Sequence, residues 1–185
     1  MSLTNQNNEQ LLLLCSKGNQ LAQLEVYNRY YRAMYNTAVR IVKDAYKAED
    51  IMQESFLMAF TKLDTLKDKK VFGSWLKRIV INNSIADYNK MITEKSVPLE
   101  SIAYKLEDDV KEEKSNTATP EVKRILKGLN KLKPNYNLCL TLHFIEGYDY
   151  EEIGEIMNIS YGNCRTMMSR AKESLRQKLM PLKTN

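Results

Sequence analysis

Asn163, Arg165, Thr166, Ser169, Arg170 and Lys172 fall within ten consecutive residues. Two carry forked guanidinium donors, one an ammonium group, and three are short polar side chains. Recurring three and four residues apart on a helix, such groups suit hydrogen bonding to acceptors in a fixed array: base edges and phosphate oxygens. From Tyr161 to the C-terminus six Lys or Arg stand against one Glu. The stretch just before is acidic, with Glu151, Glu152 and Glu155. No nucleophile–base pair, metal cluster or phosphate-binding glycine loop stands out anywhere in the chain, so the chemistry on offer is recognition, without covalent steps or a cofactor.

Two short helices and a corner must position these residues. Asp149 is expected to cap the first helix, with Glu152 completing a capping box. Ile153 and Met157 face inward, Ile156 lies alongside, and Gly154 is small where a second helix would cross closely. Asn158 tolerates a left-handed backbone at the bend. Ile159 plugs the corner, and Ser160 can cap the second helix. Cys164, Met168, Ala171 and Leu175 then form its inward stripe. This is the grammar of a helix-turn-helix. A plain helical hairpin with a solvated basic face has the same spacing; the turn chemistry favours the nucleic-acid reading.

The remaining chain is expected to be all-α. Its 185 residues are 43% apolar and 28% charged, with only six Gly and four Pro, the composition of a soluble globular protein. The net charge of +5 is unevenly spread: +4 over residues 1–90, −3 over 91–120 and +4 over 121–185. The acidic middle reads as a flexible linker with a short helix around Tyr104–Lys111. It divides the chain into small helical domains at 1–90 and 120–185, joined by 91–119. The first should hold a leader helix near Asn8–Lys17 and long helices near Asn19–Lys43, Tyr46–Leu63 and Phe72–Asn89. Along the first long helix Leu21, Leu24, Tyr27, Tyr31, Met34, Ala38 and Ile41 recur at helical spacing. In the second domain Val122, Ile125, Leu126 and Leu129 form an apolar stripe. Pro134 suits a helix start and Gly147 a helix end.

Cys15, Cys139 and Cys164 lie far apart in sequence and read as three reduced thiols. His143, the single histidine, reads as an ordinary helix residue, and no metal site is expected. The run Leu11–Leu14 is too short to span a bilayer and lacks a signal peptide's positive leader, so the protein is expected in the cytoplasm.

Two further faces could bind. Asp50, Gln53, Glu54, Leu57 and Thr61 share one side of a helix, opposite Met52, Ser55, Phe56, Ala59 and Leu63. By spacing alone this polar ridge is a solvated face. Lys67, Lys69, Lys70, Lys77 and Arg78 surround Phe72 and Trp75. Cations beside rings suit single-stranded nucleic acid, although both rings, Trp75 above all, could equally be core.

The stretch Tyr148–Gln177 resembles the C-terminal helix-turn-helix of bacterial sigma factors, "YEEIAEILGISxGTVKSRLSRARxxL". Tyr150–Met157, Ile159, Ser160, Gly162, Arg165, Ser169, Arg170, Ala171 and Leu175 match or nearly match. "YRAMYNTAVRIVKDAYKAEDIMQESFLMAF" and "FGSWLKRIVINNSIADY" look like region 2 of the same family. The resemblance is closest to the two-domain extracytoplasmic-function (ECF) members. It implies a sigma region 2 bundle and a sigma region 4 helix-turn-helix in a subunit of RNA polymerase, without enzymatic activity of its own. Asp50, Gln53, Glu54 and Leu57 would grip the β′ clamp coiled coil of core polymerase, and the second domain would meet the β flap. Lys69, Lys70, Phe72, Trp75, Lys77, Arg78 and Asn82 would engage the minus-ten element and help melt promoter DNA. The recognition helix would read the minus-thirty-five element, and the linker would thread the polymerase cleft. An anti-sigma factor, commonly membrane-bound, is implied as a partner; a homo-oligomer is not. Cys164, Asn163 and Met167 depart from the Val, Thr and Arg usual in the family. The alternative, a conventional helix-turn-helix regulator binding DNA without core polymerase, would need a receiver or ligand domain. An enzyme acting on DNA would need clustered catalytic residues.

Overall fold

The computed structural model describes residues 3–94 and 119–180, which are helical apart from short turns. The acidic stretch, with its expected short helix at Tyr104–Lys111, lies outside the described residues. The chain divides into two compact units, Met1–Tyr104 and Lys105–Asn185.

The first unit contains α1 (Asn8–Ser16), α2 (Gln20–Val42), α3 (Ala45–Thr61) and α4 (Phe72–Glu94). Asn7, Asn19 and Asp44 each cap the following helix by accepting a backbone N–H three residues on. Two single 3-10 turns, Leu63–Thr65 and Lys69–Val71, join α3 to α4. α2, α3 and α4 pack on one another around Val26, Met34, Ile51, Met52, Phe56 and Leu76. Among the buried polar groups, Ser55 has partners on both sides. Ser55 Oγ donates to Ile51 O at 2.6 Å and accepts from Asn83 Nδ2 at 3.0 Å. Lys47 and Asp87 link α3 to α4 across 3.2 Å.

The expected α2 stripe is only half right. Met34, Ala38 and Ile41 are buried, but Leu21, Leu24 and Tyr31 are exposed, and Ala22 and Val26 are buried in their place. Two adjacent rows of the helix both carry apolar residues near its start. Which one faces inward is decided by where α1 docks, and that is a tertiary fact. The leucine run is amphipathic in place: Leu11 and Leu12 are fully buried while Leu13 is exposed. Among the described residues no helix is long and apolar enough to cross a membrane.

The second unit contains α5 (Pro120–Asn130), α6 (Pro134–Phe144), α7 (Tyr150–Met157) and α8 (Tyr161–Leu179). Its core forms where α6 crosses α8, around Leu138, Leu140, Leu142, Ile153 and Met168. Asn137 is buried with both ends used: Nδ2 donates to Leu129 O at 2.8 Å, and Oδ1 accepts from Thr141 Oγ1 at 3.1 Å. The apolar stripe of α5 is mostly uncovered. Only Leu129 is inside; Val122, Ile125 and Leu126 are exposed. α5 meets α8 at Gly128, where an added Cβ would lie 3.0 Å from Leu179 Cδ2 and 3.1 Å from Leu175 Cδ1. Arg124 donates to Leu179 O nearby.

Lys43 ends α2 in the left-handed region, φ 58°. Burial, and then the charge of Arg40, lowers its pKa to about 8. The folded state therefore carries the penalty of a charged amine below pH 8. Stability rises as pH climbs from about 8 towards 10.5, because there the unfolded chain alone holds the proton. Lys43→Met keeps the backbone strain and removes the amine. Urea unfolding should find it more stable than wild type at pH 7, by at most ~3 kcal/mol, with the advantage shrinking by pH 10. An equal difference at both pH values would refute the account.

Candidate nucleic-acid interface

Every step of the α7–α8 corner is fixed by a local group. Asp149 Oδ1 accepts from Glu152 N at 2.8 Å, and Glu152 Oε2 accepts from Asp149 N at 2.9 Å, closing the capping box. Asn158 sits at φ 54°, ψ 49°, the left-handed turn expected of it. Ser160 Oγ then accepts from Asn163 N at 3.3 Å to open α8. Gly154 is needed for a different reason from the one expected. A Cβ there would come within 2.9 Å of Ile159 O, so the corner's own backbone excludes it, not the crossing helix. Ile156 is the more deeply buried partner of Ile153; Met157 is only half-buried.

α8 buries Cys164, Met168 and Ala171, with Leu175 half-buried beyond them. At about 100° per residue, Gly162, Thr166, Ser169 and Glu173 then lie on the opposite side. Arg165 flanks that row on one edge, and Asn163 and Arg170 on the other. All seven are exposed. Thr166 Oγ1 donates to Gly162 O at 2.9 Å. The row ends in an acid: Glu173 is paired with Arg176 at 2.6 Å. Met167 is half-buried at the margin.

Lys172 departs from expectation. It is half-buried, its Nζ donating to Tyr150 Oη at 3.2 Å and lying 5.3 Å from the centre of the Phe144 ring. It ties α8 to the start of α7, away from the outward row. His143 works in the same cluster. Its Nδ1 is 2.8 Å from Tyr148 O, and its ring meets those of Phe144 and Tyr150 edge-on. Cys139 and Cys164, 25 residues apart in sequence, meet beneath this cluster at the α6–α8 crossing. Burial and the neighbouring Cys164 push the Cys139 thiol up to about 12, and burial raises Cys164. All three cysteines are free, buried thiols. Spacing gave no sign of this pair, because only the crossing creates it.

In the first unit, Asp50, Gln53, Glu54 and Leu57 stand exposed along α3, Leu57 at 69%. Tyr46, one turn earlier on the same ridge and 85% exposed, was missed; the signal available was its place four residues before Asp50. At the start of α4 the two rings exchange their expected roles. Phe72 is 1% exposed and packs edge-on against Tyr30 at 5.3 Å, so it cannot stack on a base. Trp75 is the half-exposed ring. Trp75, Arg78 and Asn82 share a face at spacings of three and four, Arg78 half-buried and Asn82 exposed. Lys77 lies about 200° around the helix from Trp75 and joins no such row. Lys70 is exposed and Lys69 half-buried in the preceding turn. Among the described residues no group of three or more His, Cys, Asp or Glu could hold a metal ion.

The corner gives a clean test of local backbone control. Asn158→Val should destabilise the second unit by ~1–2 kcal/mol through left-handed strain, whereas Asn158→Gly should be neutral or stabilising. Thermal unfolding of the two variants giving the same midpoint would count against it.

Residues 26–90 match the family described as Sigma-70 region 2, and residues 123–175 match Sigma-70, region 4. Together these take in more than half the chain. The chain is 29% identical over 153 residues to the ECF RNA polymerase sigma factor SigM of Bacillus subtilis, covering 82% of this chain and 91% of that one. It is 28% identical over 174 residues to SigW of the same organism, covering 90% and 93%. The RNA polymerase sigma-H factor of Pseudomonas aeruginosa is 27% identical over 188 residues, covering 97% of each. Among solved structures, the fold is similar to the sigma factor RpoE of Bartonella quintana, crystallised with the anti-sigma factor NepR. That likeness has a TM-score of 0.58 at 22% identity, over 92% of this chain and 95% of that one. CnrH in complex with the cytosolic domain of CnrY gives 0.55 at 21% identity, over 93% and 96%. With a region 2 bundle, a region 4 helix-turn-helix and ECF relatives along most of its length, the chain belongs to the sigma-70 family as an ECF sigma factor, a protein that directs transcription initiation.

Proposed function

We propose that the two units divide the work of promoter recognition: the first binds core polymerase and the minus-ten element, the second the minus-thirty-five element. The observation that carries this is the outward row of α8. It presents Thr166 and Ser169 between Arg165 on one side and Asn163 and Arg170 on the other, behind a corner whose caps fix its angle. Forked donors beside short hydroxyls fit base edges flanked by phosphates. Lys172, engaged by Tyr150 and Phe144, holds the recognition helix to its neighbour in this reading and leaves DNA contact to the others. At the minus-ten element the contacts fall to Trp75, Arg78 and Asn82 on one face, with Lys69 and Lys70 tracking the backbone. Phe72 and Lys77 drop out, the first because it is core and the second because it is off the row.

The ridge from Tyr46 through Asp50, Gln53, Glu54 and Leu57 is the proposed grip on the β′ clamp coiled coil. It offers acid and amide groups between an exposed tyrosine at one end and an exposed leucine at the other, apolar anchors beside polar groups. The second unit would meet the β flap. The relatives crystallised with anti-sigma factors support such a partner here too. The family is not an enzyme family, and we place the protein in the cytoplasm with polymerase.

In vitro transcription with core polymerase on genomic fragments, with start-site mapping, tests the whole reading; no new start sites would end it. Arg165→Ala and Arg170→Ala should each weaken minus-thirty-five binding, and base preference should shift by ~1–3 kcal/mol wherever the arginine touches a base edge. Normal transcription from the mapped promoters by both would move the reading face elsewhere. Charge reversal at Asp50 or Glu54 should abolish co-purification with core polymerase while far-ultraviolet circular dichroism stays unchanged. Retained co-purification would dislodge the ridge. A gel shift separates the conventional regulator, which would retain operator DNA without core polymerase.

A further inference from the structure

One side chain of α2 reaches several groups of the N-terminal segment. Arg29 Nε donates to Glu25 Oε1 at 2.8 Å, Nη1 to Asn8 Oδ1 at 2.9 Å, and Nη2 to Thr4 O at 2.9 Å and Leu3 O at 3.5 Å. Asn8 passes the connection on, its Nδ2 donating to Tyr30 Oη at 2.9 Å. Tyr30 is the link to the basic loop. Its ring meets Phe72 edge-on at 5.3 Å and lies over Gly73, where an added Cβ would come within 3.0 Å of Tyr30 Cε1. Phe72 in turn touches Trp75, their ring centres 6.0 Å apart. On the other side, α1 packs directly on the Lys69–Val71 turn, with Leu11 and Leu12 fully buried. Burial raises the Tyr30 pKa, so the phenol stays protonated.

Residues 62–71 between α3 and α4 hold only two single 3-10 turns and bury only Leu63 and Leu66 among their large side chains. A segment with so little core of its own opens easily. Placing charged groups on a nucleic acid needs support from residues behind them. We infer that Leu3–Ser16 is a brace that holds the basic loop and the first turn of α4 in the pose that opens promoter DNA. Arg29, Asn8 and Tyr30 are its positioning residues. The inference rests on the reading of that loop as the minus-ten contact.

Arg29→Lys keeps the charge but loses the fork, and Tyr30→Phe keeps the ring but loses the hydroxyl. Both are made in the full chain and assembled with core polymerase on a promoter found by start-site mapping. Permanganate reactivity of unpaired thymines at the minus-ten element should fall about fivefold in each, as loss of one hydrogen bond predicts. Tolerance of minus-ten base changes should shift, while co-purification with core polymerase and sensitivity to minus-thirty-five changes stay at wild-type level. Wild-type opening in both variants overturns the brace, as does a loss of opening matched by an equal loss of core binding, which would mean a merely structural role. Lys70→Ala and Trp75→Ala separate the two levels of the argument. If they impair opening and the brace variants do not, the brace fails alone. If they do not impair it, the loop reading fails and the brace with it.

Discussion

A helix that buries one side has no freedom over what its other side presents. In α8 the burial of Cys164, Met168 and Ala171 against α6 sets the rotation of the whole helix. Arg165, Thr166, Ser169 and Arg170 face outward as a result, and not through any attraction of their own. Direction along the axis is set separately by the capping box, the left-handed Asn158 and the Ser160 cap. Rotation from packing and direction from capping together leave the donors one arrangement. Preorganisation of this kind keeps the entropy of ordering out of the binding step.

The first unit applies the same constraint to two faces. α3 packs inward through Met52, Ser55 and Phe56, leaving a ridge of two acids and an amide that ends at Leu57. α4 packs inward through Leu76, Val80 and Ile81, leaving Trp75, Arg78 and Asn82 together. The two surfaces differ in charge and sit on different helices. On the proposed reading, protein and DNA meet different helices, and neither competes for the other's contacts.

Local chemistry was legible in the sequence, and partner choice was not. The caps at Asp149 and Ser160, the bend at Asn158 and the α8 stripe all follow from groups a few residues apart. Phe72 and Trp75 were reversed because helical spacing places both near the start of α4 without saying where Tyr30 will lie. Val122, Ile125 and Leu126 have the periodicity of a buried stripe, but of that stripe only Leu129, beside Gly128 where α5 meets α8, is covered. Lys172 reads as one more basic residue until Tyr150 and Phe144 are brought to it. Cys139 and Cys164 become neighbours only through a crossing, and the Arg29 network joins residues more than twenty positions apart. In each case the missing information was the position of another element.

The acid that closes the outward row of α8 sets a length. From Gly162 to Ser169 the helix advances ~10 Å, and one turn later the row meets Glu173, which Arg176 engages at 2.6 Å. On the proposed reading of this face, that advance spans about three base pairs of duplex, at ~3.4 Å each. A word so short recurs throughout any genome. On that reading, addressing comes from pairing it with a second word at a set distance, and the spacing between the two carries as much information as either spelling.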